Sequence, residues 1–502
     1  MNHCLLFNCH TMYFNRPGGP YRIATILRDE GWDVEVVEYL DLWQQKEFEE
    51  FCNTNITKNT VWVGFAYFFS YWNPKFNLFI DYIKQKWPHV RVVVGGNGKP
   101  KFQYPKVDYY VHGYGEHALL ALTASFVGNT PKGGIKLDPK YLGRGMKFIS
   151  ANDYYPAFPM KSLRIKYQDR DFIEPWEYLT CEFSRGCMFE CLYCNFPVLG
   201  VKGDYTRDAQ DYHDHLLENY ERWGTTLYYC SDETFNDRTE KIQKFADVTD
   251  KLPFKPFFTG FMRADLLVSR KQDWDALVRL GMLGHFYGIE SMNHPTAKAI
   301  GKGMNPHRLR EGLLEVRDYF KSHGQQRYRG CIALVVGLPY ETEETFKEGA
   351  EWLRNNWQGE NIECYPLEIP IDEYTEKFSK LAQDWHKWGY REKPADQYDH
   401  ISLECNVMHS TTNLNWVNDN MDYDKAKDLA TQYLRSIENE DWFKLNPYTL
   451  DYASGMGLSL DESLSASRKD LFVRWEEGYG KETLAQARHS IARRYIDKKL
   501  NR

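Results

Sequence analysis

The chain has 502 residues and a formal net charge of −7, from 63 Lys and Arg against 70 Asp and Glu. That length allows two or three domains with cores of their own, and the near balance of charge excludes recognition of nucleic acid or anionic membrane by bulk electrostatics; nucleic acid is left unsupported as a partner, with only a local basic pocket escaping the test. No charged amino-terminal region leads into a long apolar core, no apolar run approaches a membrane span, and 11 cysteines in no regular framework fit a reducing compartment, so a cytoplasmic protein is expected.

In chain order, His3 to Asn8 reads as a strand, Gly19 to Glu30 as a helix stopped by Gly31, and Asp33 to Tyr39 and Thr60 to Tyr67 as further strands. A helix over Pro74 to Trp87 leads to a strand at Val90 to Val94, and Val107 to Val111 precedes a helix from Glu116 to Phe126. Strands separated by helical stretches need crossovers, which predicts a Rossmann-like parallel sheet with helices on both faces and ligands at the carboxyl ends of its strands.

Glycines at strand ends let a backbone approach a bulky ligand with no Cβ in the way, and Gly95, Gly96, Gly98 and Gly113 stand at such positions; the plainer reading, that they only make turns, stays open. Four pieces, Ile26–Val34, a strand leading to Ser70, Ile83–Gly96 and Val107–Glu116, resemble in order and spacing the cobalamin-binding-type domain that precedes one large class of radical S-adenosylmethionine (SAM) enzymes. The resemblance implies a cobalamin site at Ser70, Gly95, Gly96 and Gly113 within a domain over residues 1–130. The helix-entry motif D-x-H-x-x-G is absent, and Tyr67–Trp72 sets a wall of aromatics where the family places smaller residues; such a wall can stack on a macrocycle or fill its place.

Residues 131–175 are rich in breakers and aromatics and read as a linker. After it comes Ser184-Arg-Gly-Cys-Met-Phe-Glu-Cys-Leu-Tyr-Cys-Asn195, with Cys187, Cys191 and Cys194 spaced C-x3-C-x2-C. An electron-transfer cubane takes four cysteines, and a structural zinc also closes its tetrahedron with protein groups. Three thiolates therefore either recruit a distant ligand or leave one iron open. Cys181 sits in an alternating, strand-like stretch and reads first as a small core residue.

The strand–helix alternation then resumes. Strands are expected at Tyr178 onward, Thr226 to Cys230, Phe257 to Phe261, His285 to Glu290, Cys331 to Gly337 and Glu363 to Ile369, six units that resemble the partial (β/α)6 barrel of the radical SAM family over 176–370, with chemistry expected at the carboxyl ends of the strands. The cysteine loop in this setting resembles the radical SAM enzymes. The resemblance implies that Cys187, Cys191 and Cys194 hold a [4Fe-4S] cluster whose open iron binds SAM, that Tyr193 lies against adenine, and that a flavodoxin- or ferredoxin-type protein donates the electron.

In the same way the resemblance assigns the strand-end motifs. Asp232, and after it Glu233, would accept from the methionyl ammonium; Arg263 would pair with the methionyl carboxylate, or else form a surface pair with Asp265. Glu290 and Ser291 in Gly288-Ile-Glu-Ser291 would meet the ribose or methionyl group, and Gly337 would let adenine reach the backbone. Thr342 is a helix cap in either case.

Residues 371–502, mostly helical, are expected to form a substrate or lid region in which Trp385, Trp388, His400, His409, Trp416 and Trp442 either line a chamber or anchor a core. No acid, base or hydrogen donor is assigned. The expected activity is radical chemistry on an unactivated carbon of a small molecule or peptide, with cobalamin-dependent C-methylation as the leading outcome. Cobalamin-independent rearrangement, cyclisation or oxidation is the second reading; a non-enzymatic metal-binding or interaction protein, with Cys181, His213 or His215 as fourth zinc ligand, is the third.

Overall fold

The structure, a computed structural model, describes residues 2–9, 16–67, 75–96, 104–142, 145, 147–151, 154, 162–194, 205–371, 379–394, 413–469 and 484–502. Two compact units result: one holds the described residues up to Glu174 together with Ala485–Arg502, the other the described residues between Pro175 and Leu484.

The first unit is built on β1 (His3–Asn8), β2 (Asp33–Val37), β3 (Thr60–Tyr67), β4 (Arg91–Gly96), β5 (Tyr109–His112) and β6 (Phe148–Ser150). Every pairing is parallel, in the order β2-β1-β3-β4-β5-β6. Because the order turns back at β1, the crevice for a ligand belongs at the carboxyl ends of β1 and β3. The helices face the sheet through apolar stripes at helical spacing, as with Phe76, Phe79, Ile80 and Ile83 of Lys75–Lys86. Phe7 of β1 sits among Phe48, Phe51 and Phe65, with ring centroids 5.1, 6.0 and 5.7 Å away.

The stretch read as a linker contributes to this unit. It supplies β6, and Arg22 donates to the carbonyls of Ser162 and Arg164 while Arg16 donates to those of Asp171 and Phe172. The region read as 371–502 is divided, since its last helix, Leu484–Leu500, joins the first unit. There the Lys499 side chain, fully buried, pairs with Glu35 at 2.7 Å, and Arg488 pairs with Asp41 at 2.9 Å.

The second unit has β7 (Leu179–Cys181), β8 (Ser184–Arg185), β9 (Tyr205–Thr206), β10 (Leu227–Cys230), β11 (Phe257–Met262), β12 (Met282–Glu290), β13 (Arg329–Val336) and β14 (Asn361–Pro366). The main sheet runs β7-β10-β11-β12-β13-β14, all parallel, as the partial barrel requires. Consecutive strands are neighbours, so every crossover turns the same way and the helices share one face. Side chains on the other face point to the interior.

Candidate active site

β8 and β9 pair antiparallel, Ser184 against Thr206 and Arg185 against Tyr205, and bracket the cysteine loop. Gly186 takes φ +94° just before the first cysteine, a turn that a side chain would resist. Cys187, Cys191 and Cys194 are partly open, while Cys4, Cys9, Cys52, Cys181, Cys230, Cys331 and Cys364 are buried. Burial pushes the Cys181 thiol up to about 12, which keeps it protonated in β7, the packing role expected of it. His213 bonds Gln210 and Asp214, and His215 bonds Arg207.

No three His, Cys, Asp or Glu side chains among the described residues gather closely enough to hold a single ion. The donor set fits a multinuclear cluster: three accessible thiols spread round one loop, with polar groups at their sulfurs. The Thr234 hydroxyl is 3.6 Å from Cys187 Sγ, and Arg263 Nη1 donates to Cys191 Sγ at 3.4 Å.

Arg263 corrects an expectation. Its Nε and Nη2 donate to Asp265 at 3.0 and 2.7 Å, Nη2 also reaches the Gly301 carbonyl, and the guanidinium lies 3.9 Å over the Phe189 ring. The fork that would hold a methionyl carboxylate is filled by Asp265, and the pair is largely buried rather than on the surface. Arg263 clamps the cysteine loop to the end of β11.

The acidic pair after β10 exchanges rank. Asp232 is buried, accepts from Phe183 N and Ser184 Oγ at 2.7 Å each, and is lifted to about 7 by that burial, with Lys241 opposing. It ties the end of β10 to the segment after β7 and has no free face for an ammonium group. Glu233 is half-buried and accepts from Gly186 N at 3.2 Å, beside the first cysteine.

After β12 the register shifts between Gly288 and Glu290, and Glu290 sits at φ +67°, a costly conformation for a residue with a Cβ. This turns its carboxylate to the Tyr193 hydroxyl and to Lys302 Nζ, the latter at 2.8 Å. Burial and then the Glu290 charge keep Tyr193 a phenol, far above its usual range. A Cβ on Gly288 would fall 2.6 Å from Glu290 Oε1 and 3.0 Å from Lys302 Nζ, so the arrangement needs glycine there. Lys302 was not anticipated, although two glycines flank it in Gly301-Lys-Gly303.

Ser291 and Gly337 meet through Glu341, another residue without a predicted contact. Ser291 Oγ donates to Oε1 at 2.7 Å and Gly337 N to Oε2 at 2.8 Å, and burial lifts Glu341 to about 7. The Ser291 hydroxyl is thus donated inward rather than to a ribose. Gly337, at φ +96°, would place a Cβ 2.3 Å from the Trp416 ring. The face expected to receive adenine is covered by that indole, which is itself fully buried and bonds the Leu367 carbonyl. Trp416 is a core anchor; His400 and His409 lie outside the described residues.

In the first unit Gly96 pairs with His112, Gly113 N bonds the Gly96 carbonyl at 3.0 Å, and Gly113 takes φ +92°. A Cβ on Gly95 would press to 3.2 Å of the Val111 carbonyl, so Gly95 serves the close pairing of β4 and β5. Backbone bare of side chains at Gly96 and Gly113 fits the approach of a large ring. Ser70 and Gly98 lie outside the described residues, as do Phe68–Trp72 of the aromatic run.

The family model of the radical SAM superfamily matches residues 181–353, from β7 through the cysteine loop to the helix after β13. The chain carries a radical SAM domain. A B12 binding domain model matches residues 19–123, so this radical SAM enzyme carries a B12-binding domain ahead of its barrel, and its cofactors are a [4Fe-4S] cluster, SAM and cobalamin. Comparison with curated proteins finds no match. Among solved structures it is similar to the radical SAM methyltransferase TsrM from Kitasatospora setae with tryptophan substrate and a SAM analogue bound, at TM-score 0.67 and 15% identity over 98% of this chain and 99% of that one. The cobalamin-dependent SAM radical enzyme OxsB with aqua-cobalamin and SAM bound is similar at TM-score 0.56 and 13% identity, over 99% of this chain and 79% of that one. At these identities the likeness establishes the shared fold. No helix among the described residues is long and apolar enough to cross a membrane.

Proposed function

We propose that this radical SAM enzyme methylates an unactivated carbon of a small molecule in a cobalamin-dependent reaction. The observation that carries the reading is the pairing in one chain of an accessible three-cysteine loop on a six-stranded parallel barrel with a B12-binding domain. When bound, the cluster, SAM and cobalamin supply one-electron chemistry and a transferable methyl group.

The chain's own residues bind and orient. Cys187, Cys191 and Cys194 hold the cluster, and Arg263 fixes the loop. Glu233, beside Gly186, is the carboxylate for the methionyl ammonium, and Glu290, Tyr193 and Lys302 form a second polar cluster that Tyr193 ties to the cysteine loop. Gly96 and Gly113 give cobalamin its backbone approach. A small molecule is also the kind of substrate bound by TsrM, and a flavodoxin- or ferredoxin-type donor would supply electrons.

Anaerobic reconstitution with iron, sulfide and cobalamin, followed by mass analysis of SAM products, tests this. We expect 5'-deoxyadenosine and S-adenosylhomocysteine from the wild type, and neither product nor cluster from Cys191→Ala, with Cys181→Ala keeping its iron. 5'-Deoxyadenosine without S-adenosylhomocysteine would remove methyl transfer from the reading, and iron retained by Cys191→Ala would remove the cluster.

A further inference from the structure

Strand register places side chains in rows on the face opposite the helices. Phe261, Phe286, Cys331 and Asn361 are in line across β11 to β14, and one step nearer the carboxyl ends stand Gly288, Ala333 and Glu363. Tyr448 comes from the segment after the Tyr423–Ile437 helix and lies on the first row, with its ring 4.8 Å from Phe261, nearly parallel, and 5.4 Å from Phe286. The three rings pack on one another and are half-buried, so part of each stays open on the inner side of the barrel, its chamber. Above them Ala333 brings only a methyl group to this face, and the place of a side chain at Gly288 is taken by Glu290 and Lys302.

Glu363 is the charged group that β14 places in this row. Its oxygens accept from Asn446 Nδ2 and the Tyr365 hydroxyl, which leaves lone pairs unused on both. Among the described residues no Lys or Arg pairs with it, while Lys302 and Glu290 pair with one another. A carboxylate with accepting capacity to spare receives a protonated amine through a charge-assisted hydrogen bond, and aromatic faces attract cations as well as flat apolar bodies. The Tyr448 hydroxyl is buried with no partner among the described residues and offers one further polar contact.

We infer that the chamber binds a substrate with a protonated amine on a flat, largely apolar body, the amine against Glu363 and the ring on Phe261, Phe286 and Tyr448. The assignment rests on the radical SAM reading and adds to it the chemical class of the substrate. A carboxylate or phosphate in the same place would meet Glu363 with like charge.

The test uses reconstituted enzyme with cobalamin and SAM, titrated calorimetrically with 2-naphthylmethylamine and 2-naphthoic acid, which share a ring system and differ in charge. At pH 7 the amine should bind about tenfold tighter or more, the worth of one charge-assisted hydrogen bond. Glu363→Gln should erase most of that preference, and Phe261→Leu should weaken both probes alike. Equal or tighter binding of the acid by wild type overturns the inference without reference to any variant, as does a preference that survives Glu363→Gln. SAM cleavage measured on the same preparation keeps the two readings apart: cleavage with no amine preference overturns only the chamber assignment, and no cleavage overturns the function.

Discussion

Arg263 shows how one side chain can be placed for a role other than the one its motif suggests. A guanidinium at a strand end beside a SAM site invites a carboxylate, and the carboxylate it found is Asp265, two residues along. What remains is Nη1, aimed at Cys191 Sγ. A charged donor on a cluster sulfur stabilises the reduced, more negative cluster. Replacing Arg263 with Gln, too short to reach, should therefore lower the cluster's reduction potential by about 60 mV, the one-electron equivalent of about 1.4 kcal/mol. Potentiometric titration followed by electron paramagnetic resonance measures this. An unchanged potential would mean that Arg263 only braces the loop.

Elements of the barrel are joined at their carboxyl ends by buried carboxylates, and this gives the fold a pH signature. Asp232 ties the segment after β7 to β10, and Glu341 ties the end of β12 to the turn after β13. Burial lifts both to about 7 from ordinary values of 3.8 and 4.5. A carboxyl whose folded value is raised stabilises the fold fully below its unfolded value and loses that contribution as pH rises through the folded one. These two groups should make the melting temperature decline between about pH 4 and pH 7. Asp232→Asn and Glu341→Gln should flatten that decline in scanning calorimetry, and a variant with the wild-type slope would show that its carboxyl does not titrate in this window. Neither tie was legible in sequence. Ser231-Asp-Glu-Thr-Phe235 displays two adjacent carboxylates, and only the strand geometry decides which turns inward.

At the scale of the whole molecule, the chain returns at its end to the unit in which it began. Lys499 is buried against Glu35, which Arg502 and Arg170 also approach, at 3.1 and 3.9 Å. Breaking a buried pair from one side leaves a charge uncompensated. Lys499→Met should cost about 3 kcal/mol, read from the urea midpoint of the 502-residue chain; a loss under about 1 kcal/mol would show that Arg502 and Arg170 suffice for Glu35. The amino-acid sequence alone determined the strand–helix alternation of both parallel sheets, β6 excepted, and the C-x3-C-x2-C spacing of Cys187, Cys191 and Cys194, because hydrophobic period and residue spacing are properties of neighbouring residues. Tertiary structure alone decided that the last helix belongs with the first unit, that Trp416 covers Gly337, and that Glu363 faces aromatic rings from three other segments. Each of these depends on residues far apart in the chain coming within a few ångströms of one another, and no local pattern encodes that distance.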